Sequence, residues 1–210
     1  MPKGQRPFPG PGPASGRADG QPTRIMGVDP GIGATGFGVV EVTRSGSIVY
    51  LGSGVIRPPT LQPFPKRIQQ IFHGLCGEIE NFAPGYMAVE RPFYAKNVKS
   101  AMLLGQARAV AILAAAEAGL QVQEYSPLEV KQAVVGYGRA AKEQVQAMIR
   151  SLLHSPENIA PDAADALAVA FCLAHSLPWQ LSLEAAREKQ PFPGARWPAR
   201  SANRGFGGGG

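Results

Sequence analysis

The stretch RIMGVDPGIGATGFGVVEV, residues 24–42, contains two apolar runs on either side of a glycine-rich turn. The runs RIMGVD and TGFGVVEV carry the β-branched and aromatic residues that are typical of strands. A third run, SIVYLGSGVI, follows after the short turn sequence TRSG. Turns this short join neighbouring antiparallel strands. The sequence therefore predicts three adjacent antiparallel strands at the start of the folded body.

The middle of the chain alternates between helical and strand patterns. Apolar residues at three- and four-residue spacing predict a helix that ends near Phe82. The strand YMAVE, the helix SAMLLGQARAVAILAAAEAG and the strand QVQEY come next, and such alternation favours parallel pairing. A helix from Ser126 to Gly136 follows, and then helices at roughly 141–154 and 161–176. These elements predict an α/β fold with a mixed five-stranded sheet and helices packed on it.

Both ends of the chain differ from this body in composition. Gly, Pro and Arg dominate the first 23 residues and the segment from Gln190. Such segments bury too little apolar surface to offset the entropy of the chain. We therefore expect a disordered basic extension at 1–23, a folded domain at 24–177 and a flexible tail at 178–210.

The net charge of +6 is concentrated at these ends, since residues 24–177 carry 13 basic and 12 acidic side chains. Charge alone therefore does not establish binding to nucleic acid. Residues 91–142 nevertheless hold seven basic side chains against three acidic ones. No apolar run reaches the roughly 18 to 20 residues of a membrane span. With no signal-peptide pattern and two cysteines in apolar helices, we expect a soluble cytoplasmic protein without a membrane partner.

Four carboxylates stand at positions that are hard to explain by structure alone. Asp29 ends the first strand, Glu90 ends the fourth, and Asp162 and Asp165 open the last helix. Each has a simpler explanation when taken singly, namely a turn, an exposed strand end or a helix cap. Together they predict a carboxylate cluster, because the two helical acids share a face that continues as an apolar stripe.

Carboxylate oxygens without nearby His or Cys ligands suit Mg²⁺ or Mn²⁺ rather than zinc. Two such ions, about 4 Å apart, activate a water and stabilise the leaving oxygen of a phosphodiester. The cluster therefore predicts a metal-dependent enzyme that cleaves a phosphodiester.

Five stretches of this body resemble the RuvC family of Holliday-junction resolvases. They are GVDPGIGATGFGVV, AVERPFYAKN, LLGQARAVAILAAA, VKQAVVGYG and PDAADALAVA, in order between about Ile25 and His175. The resemblance implies a ribonuclease H-like fold, a homodimer and four metal-binding acids. The acids of this chain that match those four positions are Asp29, Glu90, Asp162 and Asp165. The two ends of the chain have no counterpart in the common core of the family.

The resemblance also implies contacts with DNA. Phe93 matches an aromatic residue that contacts an unstacked base at the junction centre, and Lys131 and Lys142 match basic positions flanking the site. Lys96 fits a phosphate contact, because ammonium groups neutralise the backbone and release counterions. Covering the edge of the core remains the alternative for Phe93, and a solvated helix face the alternative for the lysines.

The implied function is that of a crossover junction endodeoxyribonuclease in recombination and DNA repair. It would resolve Holliday junctions by symmetric, metal-dependent nicking of two opposed strands, with two Mg²⁺ ions, or Mn²⁺, in each active site. The implied partners are four-way junction DNA, a second copy of the chain and a branch-migration complex of RuvA and RuvB.

Three alternatives remain at this point. A pre-rRNA nuclease group shares the VDxG start but lacks the stretch ERPFYAKN. A junction-binding module that does not cut would have no use for four negative charges. An ATPase would need a second phosphate loop besides GIGATGFG.

Overall fold

The structure is a computed structural model that describes residues 22–91 and 97–189, with side chains described as far as Leu177. It contains five strands and five helices over these ranges, numbered in chain order. They are β1 (Thr23–Asp29), β2 (Thr35–Val42), β3 (Ile48–Ile56), α1 (Phe64–Phe82), β4 (Tyr86–Glu90), α2 (Val98–Glu117), β5 (Gln121–Tyr125), α3 (Pro127–Val135), α4 (Lys142–Leu153) and α5 (Pro161–Lys189).

The strands form one mixed sheet in the order β3-β2-β1-β4-β5. β1 pairs antiparallel with β2, and β2 pairs antiparallel with β3. β4 pairs parallel with β1 on one side and with β5 on the other. Val28 of β1 is opposite Val89 of β4, so that the next residues, Asp29 and Glu90, end their strands side by side. The predicted five-stranded α/β sheet is confirmed.

Helices cover both faces of this sheet because successive residues of a strand point to opposite sides. Met26 and Val28 of β1 lie in the core cluster with apolar residues of α1 and α2. Gly27, between them, faces α5, and a Cβ at this position would lie 2.0 Å from the carbonyl oxygen of Ala166. The main core therefore lies under α1 and α2, while α5 rests directly on the backbone of β1.

A second glycine brings the beginning of α5 to the end of the sheet. A Cβ on Gly36 of β2 would lie 2.0 Å from the carbonyl oxygen of Asp162, closer than any real contact. Asp29 is opposite Gly36 across the β1–β2 ladder. The glycines of the opening stretch therefore allow the helix to approach closely, and this approach brings the first turn of α5 near Asp29.

The last helix is longer than the sequence predicted. We expected it to end at residue 176, but α5 continues to Lys189. Pro178 indicates an end at that point, yet the residues from Glu184 to Lys189 favour helix and extend it. One compact unit ends at Ser176 and a second begins at Leu177. The domain limits 1–23, 24–177 and 178–210 stay a prediction, and residues 1–21 and 190–210 lie outside the described ranges.

Within the described residues, α2 is long and apolar enough to cross a membrane by length and composition. The expectation that no segment meets this criterion was therefore wrong. Core helices of soluble proteins meet it too, and α2 buries four alanines, Ala107, Ala111, Ala114 and Ala115, in the core of the sheet. Its first turns differ, since Val98 and Met102 are largely exposed.

Candidate active site

Three of the four predicted acids line one cavity of about 320 Å³ at the carboxyl ends of β1 and β4. Asp29 and Glu90 reach it from the adjacent strand ends, and Asp165 reaches it from the first turns of α5. Lys131 of α3 and Lys142 of α4 line the same cavity. The tertiary structure thus gathers acids that are up to 136 residues apart in sequence, together with two of the four predicted DNA-binding residues.

Burial and the proximity of the acids change the pKa of the two strand-end carboxyls. Burial, and after it the charges of Glu90 and Asp165, raise the pKa of Asp29 to about 8. Burial and then Asp165 also raise the pKa of Glu90, while a hydrogen bond from Asp29 lowers it. Asp29 therefore carries a proton at neutral pH when no cation is bound, and this proton reduces the repulsion between the carboxylates.

Asp165 has a partner for each of its carboxylate oxygens. The Nζ of Lys142 lies 2.5 Å from Oδ2, and the Nε2 of Gln146 donates to Oδ1 at 2.9 Å. Burial disfavours the charged form of Lys142, but its bond to Asp165 and the charges of Asp29 and Asp162 raise its pKa. Lys142 therefore stays protonated and neutralises part of the cluster.

Asp162 stands apart from the other three acids. Its Oδ2 accepts a hydrogen bond from the guanidinium of Arg57, just after β3, at 3.2 Å. It does not line the cavity, although its charge is close enough to raise the pKa of Asp29. The interpretation that all four acids face one point therefore fits Asp29, Glu90 and Asp165 better than Asp162.

The carboxylate oxygens of this site fit Mg²⁺ or Mn²⁺. In the structure, however, Asp162 and Asp165 are each paired with a positively charged side chain. Over residues 22–91 and 97–189, no group of three or more His, Cys, Asp or Glu side chains is arranged to hold a metal ion as it stands. Arg57 and Lys142 take the positions of positive charge beside Asp162 and Asp165. A carboxyl such as that of Asp29, whose pKa is raised to about 8 by burial and then by its acidic neighbours, requires a cation to ionise fully at neutral pH.

Phe93 and Lys96, the other two predicted DNA-binding residues, lie outside the described residues. The chain on either side of them is anchored. The backbone N–H of Arg91 donates to the carbonyl of Tyr125 at 2.7 Å, and the Arg91 guanidinium pairs with Glu129. On the far side, Asn97 caps α2 by accepting from the N–H of Ser100. The residues that border this segment, Arg91 beside Glu90 and Asn97 at the start of α2, are therefore both held by hydrogen bonds.

Sequence reasoning missed two residues that contact the acids, Arg57 and Gln146. Arg57 follows a strand and Gln146 lies in an amphipathic helix, both ordinary positions for polar residues. Their partners are 105 and 19 residues away, so nothing in the local pattern identifies them. A polar residue at an apolar position of α4 is the one local signal, and it applies to Gln146 only.

The fold and the carboxylate site define a nuclease of the ribonuclease H-like class. The family described as Crossover junction endodeoxyribonuclease RuvC matches residues 25–173. A relative of that name from Geobacter metallireducens is 50% identical over 153 residues, which is 73% of this chain and 93% of the relative. Another, from Shewanella frigidimarina, is 52% identical over 72% of this chain and 87% of the relative. The chain therefore belongs to the RuvC family of crossover junction endodeoxyribonucleases.

Solved structures agree with this assignment. The T. thermophilus RuvC in complex with Holliday junction substrate is 34% identical, with a TM-score of 0.71 over 76% of this chain and 97% of that one. The yeast mitochondrial Holliday junction resolvase Ydc2, 15% identical with a TM-score of 0.53, shares the fold. The predicted family, the ribonuclease H-like fold and the activity of a Holliday-junction-resolving, metal-dependent endonuclease are confirmed. The pre-rRNA nuclease, the binding module and the ATPase do not fit this membership.

Proposed function

We propose that this chain nicks two opposed strands of a Holliday junction symmetrically, with metal ions held by Asp29, Glu90, Asp162 and Asp165. The observation that carries the proposal is the meeting of Asp29, Glu90 and Asp165 at one cavity that two lysines also line. The T. thermophilus relative, in complex with a junction substrate, supports the same kind of DNA as the substrate.

The acids of the site would hold Mg²⁺ or Mn²⁺, with two ions in each active site. When bound, such ions supply an activated water and stabilise negative charge at the scissile phosphate. Asp29 would give up its proton on metal binding, because the positive charge of the ion would offset the burial and the acidic neighbours that raise its pKa. Asp162 becomes available when Arg57 leaves it, and this exposed ion pair is weak.

Two lysines beside the acids would bind the DNA backbone. Lys142 is free to contact a phosphate once a metal ion takes its place at Asp165, and its side chain is already 60% exposed. Lys131 lines the same cavity from α3. Phe93 and Lys96 follow Glu90 by three and six residues, which supports a contact between this segment and the DNA near the scissile bond. An aromatic ring stacked on an unpaired base contributes about 1–3 kcal/mol.

Symmetric cutting of two strands requires two active sites, so we propose a homodimer. The surface formed by α1 and α2 supports this, because it exposes large apolar side chains at two shallow grooves, one lined by Met102 and the other by Leu113. Met102 is 61% exposed and Leu113 is 51% exposed, and a second copy would cover them. A two-fold axis relates the two sites and matches them to opposed strands of like sequence. We extend the proposal to the RuvA–RuvB complex as a partner, in the cytoplasm, on family resemblance.

The decisive experiment is cleavage of a four-way junction with Mg²⁺ by the parent and by Asp29→Asn and Asp165→Asn. Each variant replaces a carboxylate that would bind metal with a neutral amide, so we expect cutting to be lost. Junction binding should hold or rise slightly, because the repulsion between the site and the DNA phosphates falls. Glu80→Gln is the matched control, since Glu80 is an exposed acid of α1 remote in sequence from the site. Cutting by either Asn variant at a rate near that of the parent would contradict the assignment of the acids.

A further inference from the structure

Gln146 is a buried polar side chain directly beside the candidate active site. Among the residues whose side chains are described, Thr35 and Gln146 are the two buried polar ones. The burial of Thr35 is explained by the neighbouring loop, because its hydroxyl donates to the carbonyl of Gly31 and accepts from the N–H of Gly31. Gln146 is 9% exposed and needs its own partners, because an unpaired buried amide is costly.

The partners of Gln146 both lie in the first turns of α5. Its Nε2 donates to Oδ1 of Asp165 at 2.9 Å, and it also approaches the carbonyl oxygen of Pro161 at 3.4 Å. Both partners are acceptors, so the amide must turn its nitrogen and not its oxygen toward them. Gln146 therefore ties α4 to the beginning of α5 through the carboxylate that lines the cavity.

The two residues that hold Asp165 differ in what a cation would do to them. Lys142 and Gln146 are four residues apart in α4 and thus share one face of the helix. Lys142 is a largely exposed cation on Oδ2, so a divalent ion would displace it. Gln146 is neutral and buried, so it keeps Oδ1 whether or not a metal ion is bound. The bond from Gln146 therefore leaves Oδ2 as the oxygen that is available to a cation.

We propose that Gln146 is a positioning residue for Asp165, holding Oδ1 so that Oδ2 is presented to a divalent cation. The inference rests on the proposed function of Asp165 as a metal-binding residue. Bonds of this kind orient a carboxylate before the ion arrives, and their loss typically costs about 10- to 100-fold in metal affinity or activity.

The test measures Mn²⁺ affinity of the full chain without DNA, from the electron paramagnetic resonance signal of free Mn²⁺. Gln146→Met keeps the length of the side chain and removes both donors, so we expect affinity to fall by about 10- to 100-fold. The control is Gln70→Met on the exposed face of α1, which should bind Mn²⁺ as the parent does. In junction cleavage, the Mn²⁺ concentration for half-maximal rate should rise by the same factor, with kcat at saturating Mn²⁺ changed only a few-fold.

Mn²⁺ affinity within twofold of the parent, in a folded Gln146→Met protein, would overturn the proposal. Gln146→Asn keeps a buried amide but withdraws it from Oδ1, so it should also weaken Mn²⁺ binding and serves if the Met variant does not fold. Loss of folding in both variants would give Gln146 a purely structural role and would overturn the proposal too. Asp165→Asn tests the proposed function separately. If Asp165→Asn binds Mn²⁺ as tightly as the parent, the assignment of Asp165 as a metal-binding residue fails. If Asp165→Asn binds Mn²⁺ more weakly but the Gln146 variants do not, only the inference about Gln146 is overturned.

Discussion

Replacing Gly36 by alanine should separate the activity of this enzyme from its stability. The added Cβ would lie 2.0 Å from the carbonyl oxygen of Asp162 and 2.4 Å from its carbonyl carbon. Both atoms are backbone, so no side-chain rotation relieves the overlap. Because non-bonded contacts settle at about 3.5–4.0 Å, the beginning of α5 must move by about 1.5 Å or more. Asp162 and Asp165 move with it, while Asp29 stays on β1.

The two consequences of that shift differ greatly in size. Overpacking of this kind destabilises by about 1–3 kcal/mol, which lowers the melting temperature by roughly 2–4 °C per kcal/mol in a chain of this length. A displacement of about 1 Å in a catalytic group, in contrast, costs about 100-fold in rate. We therefore expect a folded Gly36→Ala protein whose junction cleavage at saturating Mg²⁺ is about 100-fold slower than that of the parent.

Gly33→Ala is the matched control, because Gly33 lies in the β1–β2 connection, three residues before Gly36, and a Cβ there meets nothing within 4 Å. It should melt and cut as the parent does. The assay compares single-turnover cleavage of a four-way junction with thermal melting for both variants. Cleavage by Gly36→Ala within threefold of the parent would refute the argument that the close approach of α5 positions Asp162 and Asp165.

Three further outcomes follow from the electrostatics and from the segment after β4. Burial and acidic neighbours raise the pKa of Asp29 to about 8 in the folded protein, whereas its ordinary pKa is 3.8. Between these two pH values the folded protein therefore holds a proton on Asp29 that the unfolded chain has lost. The free energy of unfolding of the metal-free protein should therefore fall as the pH rises between these values. Denaturation in EDTA at pH 6 and at pH 9 measures this fall, and equal stability at the two pH values would contradict the prediction. Arg57→Gln should bind Mn²⁺ a few-fold more tightly, because the substitution removes a cation that competes for Asp162. The variant should melt at the temperature of the parent, since an exposed ion pair contributes little to stability. Weaker Mn²⁺ binding would show instead that Arg57 supports the site. Phe93→Ala should slow junction cleavage and leave Mn²⁺ affinity unchanged, and an unaltered signal from a base analogue at the crossover would speak against stacking.

The order of the elements could be predicted from local pattern. β2, β4 and β5 have the bounds that their apolar runs indicate, because strand formation in this chain follows β-branched and aromatic residues between turn sequences. Ser126 and Gly136 bound α3 as a cap and a left-handed end, as their residue types predict. The end of α5 could not be predicted, since Pro178 argues for an earlier stop than the helix makes.

The glycines show where local pattern is ambiguous. Gly36, in GIGATGFG, is compatible with a tight turn and with a phosphate-binding loop when only the sequence is considered, while Gly27 lies inside the strand run RIMGVD. Their role depends on a helix that begins more than 120 residues later and touches the strand backbone at these two points. A missing side chain leaves no trace of what fills its space, so only the packed molecule reveals the reason for the glycine.

The site divides in the same way. Residue type, strand ends and the start of the last helix predicted four acids, of which Asp29, Glu90 and Asp165 line one cavity. The kind of ion stays a prediction from side-chain chemistry. The residues that pair with those acids could not be predicted from residue type and position in the sequence. Arg57 on Asp162 and Gln146 on Asp165 are pairs made by the packing of separate elements, and they set which oxygens are free and where positive charge lies. Such contacts are long-range in sequence but only a few ångströms long in space, and no local periodicity encodes them.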